Sequence, residues 1–309
     1  MEFKHIPIML NECIENLNLK SDGIYVDGTI GGAGHSSEIL KRIPNGHLIG
    51  IDKDDEALNV CKERLQKIGD NFTLVKGDHK DIKKIVNKLG YESVDGILLD
   101  LGVSSYQIDN RERGFSYMGD GKLDMRMDTE QFLTAEYVIN TYSQNDLIKI
   151  LYEYGEESFA KPIVANIIKH RKIKPIETTE ELSNIIKESI PQKFQHKGNP
   201  CKKTFQALRI EVNGELVDLE QTLKDCIQLL KPQGRLCIIT FHSLEDRIAK
   251  QTFAFECKDC ICPPKFPICV CGHKASIHLI NKKPIEPSET EKEENVRSAS
   301  SKLRVIEKN

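Results

Sequence analysis

Four aspartates stand where short apolar runs end, and their side chains could together bind a charged ligand. They are Asp27, Asp52, Asp78 and Asp100. The apolar runs predict buried strands, and the carboxyl ends of parallel strands meet at one edge of a sheet, where such sheets bind ligands. A ring of carboxylates suits a cofactor with positive charge, such as S-adenosyl-L-methionine with its sulfonium and ammonium, better than a cofactor with a diphosphate.

A glycine-rich turn follows the first of these strands, at residues 27–36 with the sequence DGTIGGAGHS. Its glycines let the backbone turn sharply and let a ligand lie against bare N–H groups at the start of a helix. Asp52 lies 24 residues after Gly28, close to the spacing of about 20 expected for a carboxylate that binds a ribose. Asp52 could instead cap the next helix, but Asp54 and Asp55 are better placed for that. The pattern predicts a nucleotide-cofactor site.

The composition is that of a soluble globular protein. Its 309 residues, 39% hydrophobic and 29% charged, suffice for one large core or two modest ones. No uncharged apolar run reaches the roughly 18 residues of a membrane span, and the start has no apolar signal segment. We therefore expect a cytoplasmic protein with no membrane partner. Because the net charge is only −3, a polyanionic partner would have to bind a local basic patch.

The apolar pattern changes twice along the chain. Strands alternate with helices over residues 1–108 and again over 204–309, whereas 109–203 reads as helical. We predict an α/β fold, a Rossmann-like sheet interrupted by an inserted helical domain. The fifth strand should pair with the fourth, and residues 277–280 and 303–306 should form a closing hairpin.

Several finer boundaries can be predicted as well. One helical face covers residues 134–154, a second helix runs from 205 to 230, and the fifth strand follows at 235–241. Thr178 and Glu181 have the spacing of a capping box. Residues 284–295 are polar and proline-rich, which predicts a mobile loop.

The helical insertion carries a local excess of positive charge. Between Lys161 and Lys203, ten Lys or Arg stand against four Glu. Such a run is either a solvated helix face or a surface that binds RNA phosphates. The residues of the predicted phosphate surface are Lys169, Arg171, Lys172, Lys193, Lys197, Lys202 and Lys203.

Half of the ten cysteines crowd into one loop at residues 257–273. Two Cys-x-Cys pairs flank a proline-rich turn, and in a cytosolic chain such clustering favours a tetrahedral zinc over disulfides. The alternative is unligated thiols on a loop. The predicted ligands of this structural zinc, remote from catalysis, are Cys260, Cys262, Cys269 and Cys271.

Five motifs in order give the chain a resemblance to the bacterial RsmH (MraW) family. They are DGTIGGAGHS at 27–36, LLDLGVSS at 98–105, RGFS with LDMRMD at 113–116 and 123–128, TFQALRI at 204–210, and FHSLEDR at 241–247. The resemblance runs from His5 to Arg304. It implies a class I methyltransferase that uses S-adenosyl-L-methionine to methylate the exocyclic N4 of cytidine 1402 in the decoding centre of 16S rRNA. The implied partner is 16S rRNA within the 30S subunit.

The resemblance also implies which residues bind the cofactor. Ala33, Gly34 and His35 should line its methionine end, Asp52 should hold the ribose, and His79 should lie near the adenine. Asp100 and Gln107 should lie beside the cofactor.

The amine of cytosine is a poor nucleophile, because its lone pair is delocalised into the ring. An acceptor for its hydrogens at the end of the fourth strand would suit the chemistry, and Asp100 is the candidate catalytic residue.

Two other classes of function fit parts of the pattern. A nicotinamide-dependent oxidoreductase would use the same glycine turn, although the strand-end acids argue against a diphosphate. An RNA-binding module with a vestigial cofactor site would keep the basic insertion but would transfer no methyl group to RNA. For two further motifs the sequence leaves a structural role open. His242 and Ser243 could cap a helix or contact a base, and Asp124, Arg126 and Asp128 could form a salt-bridge cluster.

Overall fold

The computed structural model describes residues 7–195, 198–263, 265–266 and 268–309. The chain forms two compact units. One combines the part up to Gly102 with Asp218–Asn309, and the other is Val103–Val217. The helical unit therefore extends beyond the predicted 109–203 at both ends. At its C-terminal end this is because the helix that carries the TFQALRI motif belongs to its core.

The first unit is built on a mixed seven-stranded sheet in the order β3-β2-β1-β4-β5-β7-β6. Strands β1 to β5 are parallel, and β7 runs antiparallel to both β5 and β6. The predicted pairing of the fifth strand with the fourth and the predicted closing hairpin are confirmed. The strands are β1 Ile24–Asp27, β2 His47–Asp52, β3 Phe72–Lys76, β4 Val94–Asp100, β5 Leu230–Thr240, β6 Ile277–Leu279 and β7 Lys302–Lys308.

Helices cover this sheet. They are α1 Leu10–Asn16, α2 Gly34–Arg42, α3 Asp55–Leu65, α4 Ile82–Lys88, α12 Leu219–Leu229, α13 Ser243–Glu256 and α14 Glu289–Glu294. Strand β4 is buried along its whole length except at Asp100, as expected for a central strand with both faces covered. A side chain at Gly96 would lie 2.8 Å from the ring of the buried Tyr25, so glycine allows these two strands to pack closely. The strand ends therefore belong to a closely packed sheet.

The second unit consists of helices around a core of its own. They are α5 Ser105–Asp109, α6 Ala135–Thr141, α7 Gln144–Glu153, α8 Ala160–Arg171, α9 Thr179–Ser189, α10 Gln192–Gln195 and α11 Lys202–Asn213. Val138, Leu151, Ile163, Ile186 and Leu208 are fully buried in that core. The predicted capping box of Thr178 and Glu181 is present at the start of α9.

Four finer predictions are wrong, each for a local reason. The helix predicted over 134–154 is broken by Ser143, which caps α7. The helix predicted from 205 to 230 ends at Gly214, whose φ of 61° stops α11 before α12 begins. Strand β5 accordingly starts at Leu230, earlier than predicted. The predicted mobile loop at 284–295 contains α14, whose N-terminus is capped by the Ser288 hydroxyl.

In the described part of the chain, no helix is both long enough and apolar enough to cross a bilayer.

Candidate active site

The glycine turn is fixed to the neighbouring strands by its own backbone. The Gly28 N–H donates to the Leu98 carbonyl at 2.9 Å, and the Ile30 N–H donates to the Ile51 carbonyl at 3.0 Å. A side chain at Gly28 would lie 2.5 Å from a methyl carbon of Leu99, so only glycine fits there. The turn thus connects β1, β2 and β4 at one edge of the sheet.

Asp27 is a buried carboxylate beneath this turn. It accepts a hydrogen bond from the Ser36 hydroxyl at 2.7 Å and one from the Thr29 N–H at 3.2 Å. Burial raises the pKa of Asp27 to about 6, although both hydrogen bonds act in the opposite direction. The sequence placed Asp27 at the edge but did not include it among the site residues.

Asp52 joins the glycine turn to the start of α3. One carboxylate oxygen accepts from the Gly31 N–H at 2.8 Å, and the other accepts from the Asp54 N–H at 3.0 Å. Burial raises the pKa of Asp52 despite these bonds. Asp54 itself caps α3 through the Glu56 N–H, so the capping role is filled without Asp52. The Lys53 N–H is a third backbone donor to this carboxylate, which can accept about four hydrogen bonds and so keeps room for a ligand hydroxyl.

Asp78 differs from the other strand-end acids because lysines neutralise it. Its carboxylate lies 2.9 Å from the Lys53 ammonium and 3.3 Å from that of Lys80. Burial alone would raise the pKa of Asp78, but Lys53 and His79 outweigh burial and hold it below its usual value. Of the four predicted carboxylates, Asp27, Asp52 and Asp100 therefore remain as candidates to face a ligand cation.

His79 follows directly in a short 3₁₀ turn, His79–Asp81. Its Cβ lies 3.5 Å from the point where a side chain of Gly28 would begin, so His79 lies at the floor of the glycine turn. Burial lowers the pKa of His79 more than Asp78 raises it. The His79 imidazole is therefore neutral at neutral pH and close to the glycine turn.

Asp100 has the least satisfied carboxylate of the edge. Its Oδ1 is buried and has no hydrogen-bond partner within the described residues, whereas Oδ2 lies 3.8 Å from Nδ1 of His35. Its backbone N–H donates to the Thr29 hydroxyl at 2.6 Å. Burial, followed by the charges of Asp27 and Glu245, raises the pKa of Asp100 to about 8. A buried acceptor without a partner is costly, and its position in the site indicates a role in binding or chemistry.

Ala33, Gly34 and His35 form the beginning of α2. Ala33 adopts a left-handed conformation with φ 57°, and a side chain at Gly34 would lie 2.3 Å from the Pro7 ring. The His35 ring is buried, with Nε2 3.0 Å from the Ile8 carbonyl. Because a carbonyl only accepts, Nε2 carries a hydrogen, and in the neutral ring Nδ1 is the acceptor that faces Asp100. At the start of α2, His35 thus lies next to Asp100.

Glu245 is a site residue that the sequence analysis missed. It is almost fully buried and closes a capping box at the start of α13, where its side chain accepts from the N–H groups of Phe241 and His242 at 2.8 and 3.3 Å. The His-x-x-Glu spacing was the available signal. The capping alternative for His242 is confirmed, since His242 is the N-cap.

The structure does not place every predicted residue in the same unit. Gln107 belongs to the helical unit, where its side chain accepts from the Ser104 N–H at 3.0 Å in another capping box. Its position beside a cofactor remains a prediction. Arg126 forms two hydrogen bonds to the Asp124 carboxylate, at 2.8 and 2.7 Å, which supports the salt-bridge alternative for that motif.

The acidic edge fits a positively charged nucleotide cofactor. Neither Asp27 nor Asp100 pairs with a Lys or Arg in the described residues, so a ligand cation would meet no competing positive charge there and would favour the ionised form of both carboxyl groups. A Rossmann-like sheet of this order, with a glycine turn and this acidic edge, defines a class I S-adenosylmethionine-dependent methyltransferase. The predicted fold class is confirmed.

Comparison with known proteins identifies the family. The chain belongs to the MraW methylase family, whose family model matches residues 2–309. A ribosomal RNA small subunit methyltransferase H from Finegoldia magna is 56% identical over 310 residues, which cover 100% of this chain and 99% of the relative. A protein of the same name from Clostridioides difficile is 50% identical over 310 residues, which cover 100% of this chain and 100% of the relative. Among solved structures, an rRNA methylase from Streptococcus thermophilus aligns over 98% of both chains with 11% identity and a TM-score of 0.44.

Proposed function

We propose that this chain transfers a methyl group from S-adenosyl-L-methionine to the exocyclic N4 of cytidine 1402 in 16S rRNA. Full-length relatives at 50–56% identity carry the name ribosomal RNA small subunit methyltransferase H. The single observation that carries the chemistry is the carboxyl group of Asp100 at the acidic edge, whose buried Oδ1 has no hydrogen-bond partner among the residues that the structure describes. A ribosomal substrate would place the activity in the cytoplasm, and the proposed partner is 16S rRNA within the 30S subunit.

The proposed reaction needs two things from the protein: the correct positions of the cytosine amine and the methyl group, and one acceptor for the amine proton. The cofactor supplies a methyl group already activated by its sulfonium. Asp100, whose side chain is 27% exposed, accepts a hydrogen bond from the cytosine amine, orients the amine lone pair, and receives the proton that becomes acidic when the methyl group passes from the sulfonium to nitrogen. The Nδ1 of His35, 3.8 Å from Oδ2 of Asp100, faces the same carboxyl group.

The same edge supplies the remaining cofactor contacts. We propose that Ala33, Gly34 and His35 line the methionine end, that Asp52 accepts from the ribose hydroxyls, and that the neutral ring of His79 lies against the adenine. Gln107, which belongs to the helical unit, stays a prediction as a cofactor contact. The negative charge of Asp27 lies close to Asp100 and favours a cation beside both.

The helical unit is the proposed RNA surface, with one correction to its residues. The Arg171 guanidinium donates to the carbonyls of Ile139 and Tyr142 at 2.6 and 2.7 Å, so this side chain ties α8 to α6 and is removed from the phosphate surface. Lys197 lies outside the described residues. The remaining members of the predicted surface are exposed lysines, Lys169, Lys172, Lys193, Lys202 and Lys203.

These lysines fall into two groups. Lys203 donates to the Glu156 carbonyl at 2.8 Å, and the Phe159 ring lies 5.2 Å from that of Phe194, so the lysines near α10 and the start of α11 adjoin the N-terminal end of α8. Lys169 and Lys172 lie at its other end, and a 12-residue helix is about 18 Å long. We define the α10–α11 basic patch as Lys193, Lys202 and Lys203. The exposed Phe194, with the Lys193 ammonium 5.0 Å from its ring centre, adds a surface on which a base can stack.

Methyl transfer to defined RNA tests the proposed function. Purified protein, labelled cofactor and 30S particles from cells that lack this modification should give labelled N4-methylcytidine at one position. Particles with uridine at position 1402 are the matched control and should stay unlabelled. Label on carbon 5 of a cytosine, or at another position, would contradict the proposal. A complete absence of label with RNA binding retained would support the RNA-binding module instead.

Asp52→Ala tests the ribose assignment. We expect the affinity for S-adenosyl-L-methionine to fall about ten- to a hundredfold, because a charge-assisted pair of hydrogen bonds contributes about 1.5–3 kcal/mol. Calorimetry measures this directly. Since Asp52 also holds the Gly31 N–H, Asp52→Asn is the companion variant: it can keep one acceptor for the turn but loses the charge. Wild-type affinity in both variants would refute the assignment.

A further inference from the structure

The loop between α13 and β6 lacks the apolar burial that fixes the rest of the chain. None of the described hydrophobic residues between 257 and 276 is buried, and Ile261, Phe266, Ile268 and Val270 are 44%, 54%, 74% and 74% exposed. A segment with no core of its own needs another source of order, and metal binding is the usual one in small cysteine-rich segments.

The two ends of this loop are tied together. The Ser276 N–H donates to the Glu256 carbonyl at 2.9 Å, and the Ser276 hydroxyl donates to the Glu256 carboxylate at 2.7 Å. The ring of His273 lies 5.2 Å from that of Phe255. The two ends of the loop are therefore held together, whereas its outer part still needs a source of order.

Four sulfur atoms converge in that outer part. The Sγ of Cys260 lies 3.4 Å from that of Cys269 and 3.8 Å from that of Cys271, and the last two lie 3.6 Å apart. The Sγ of Cys262 completes a group whose ligand atoms all lie within 4.8 Å of one another. Zinc–sulfur bonds of about 2.3 Å in a regular tetrahedron place the sulfurs about 3.8 Å apart, close to the observed separations.

Backbone N–H groups point at the same sulfurs. The N–H of Ile261 lies 3.4 Å from the Cys271 Sγ, that of Cys262 lies 3.4 Å from the Cys260 Sγ, and that of Val270 lies 3.4 Å from the Cys262 Sγ. Such donors stabilise the negative charge of thiolates, which is the form that binds metal. The backbone of each Cys-x-Cys pair thus supports the sulfurs of the group.

We propose that Cys260, Cys262, Cys269 and Cys271 bind one structural Zn²⁺ that closes the outer part of the 257–276 loop. All four positions of the tetrahedron are filled by protein sulfur, so no coordination site is left for substrate or water, and the site is structural. Disulfides would need sulfurs about 2.0 Å apart, closer than the separations given above, and none of the ten cysteines forms a disulfide. The site is independent of the proposed methyl transfer.

Metal analysis of the full chain, purified without added metal, tests this site. We expect about one zinc per wild-type chain. Cys260→Ser and Cys271→Ser should lose most of it, whereas Cys257→Ser, a neighbouring thiol outside the group, should keep it. Cobalt added to the metal-free protein should give the visible absorption bands of a tetrahedral thiolate complex in the wild type and in Cys257→Ser only.

Trypsin provides a readout that depends on loop order alone. Lys258, Lys265 and Lys274 are cleavage sites inside the loop. Removing zinc with a chelator should speed cleavage there about tenfold or more, since metal binding is coupled to local folding. Cofactor affinity, measured in parallel, verifies that each variant is folded. Ten titratable thiols without metal, stoichiometric iron in place of zinc, or zinc retained in both serine variants would each overturn the proposal.

Discussion

Asp100→Asn is expected to lower the single-turnover rate of methyl transfer about 10²- to 10⁴-fold while RNA binding stays at the wild-type level. The substitution keeps the shape of the side chain and removes its ability to accept a proton, and general-base catalysis typically contributes a rate factor of that size. The measurement uses saturating cofactor and 30S particles, so that the rate reports the chemical step. Exposed Asp70→Asn is the matched control for the loss of one carboxylate.

The pH dependence of the methyl-transfer rate distinguishes a proton acceptor from a residue with only a structural role. With a pKa of about 8 in the cofactor-free protein, Asp100 is mostly protonated at neutral pH, so the wild-type rate should rise with pH until this group is ionised. A bound sulfonium favours the carboxylate and should move the rise to lower pH. The Asp100→Asn variant should show no such rise. A wild-type rate in the variant would reduce Asp100 to cofactor positioning or structure.

The free energy of unfolding is a second measurement on Asp100→Asn. Here the variant should exceed the wild type, whereas its methyl-transfer rate should be lower. The pKa of Asp100 is higher in the folded state than its ordinary 3.8, so the folded state holds the proton more tightly and stability falls as pH rises through about 8. Asp100→Asn lacks this penalty. Above pH 8 the variant should be more stable by about 1–3 kcal/mol, an effect reduced from the full pKa shift because the Asp100 side chain is 27% exposed. Below the ordinary pKa the two proteins should be equally stable.

Replacing the three lysines of the α10–α11 basic patch with glutamine is expected to weaken binding to 30S particles roughly 30- to 100-fold at about 0.1 M salt. Each lost phosphate contact no longer releases counterions, so the slope of log affinity against log salt should become shallower by about 2. Binding measured over a salt series gives both quantities. Cofactor affinity should not change, because the patch belongs to the helical unit and the acidic edge to the other unit.

Lys169→Gln with Lys172→Gln is the comparison that locates the surface. Both residues are exposed lysines of the same unit, at the far end of α8. If the patch near α10 binds the RNA, this pair should leave the salt slope close to that of the wild type. An unchanged slope in the triple variant would return the patch to an ordinary solvated face, and a change only in the pair would move the RNA surface to the other end of α8.

Features with a local physical cause could be predicted from the sequence. The presence of β1 to β5 follows from apolar runs separated by helices, and the capping box of Thr178 and Glu181 follows from residue types three positions apart. The glycine turn could be placed because only glycine fits at Gly28. These signals lie within a few residues of the structure that they produce.

Features that depend on distant partners could not be predicted. Asp78 and Asp100 both follow apolar strands in the sequence, but the Lys53 ammonium lies 2.9 Å from the Asp78 carboxylate, whereas Oδ1 of Asp100 has no partner in the described part of the chain. Arg171 looked like one more phosphate ligand, yet two carbonyls 32 and 29 residues away hold its guanidinium. Whether a charge is available for a ligand is decided by tertiary contacts, which a single sequence does not list.

The pairing of β4 with β5 has a consequence for how the chain folds. These neighbouring parallel strands are joined in register between Asp100 and Ile239, 139 residues apart, with the whole helical unit between them in the sequence. Closing so long a segment costs about 3 kcal/mol more conformational entropy than closing a five-residue turn. Because the helical unit has a core of its own, it can become ordered before this pairing forms. We therefore expect the β4–β5 pairing at the centre of the sheet to form late in folding, and Asp100 lies on a strand that has one neighbour synthesised only after the helical unit.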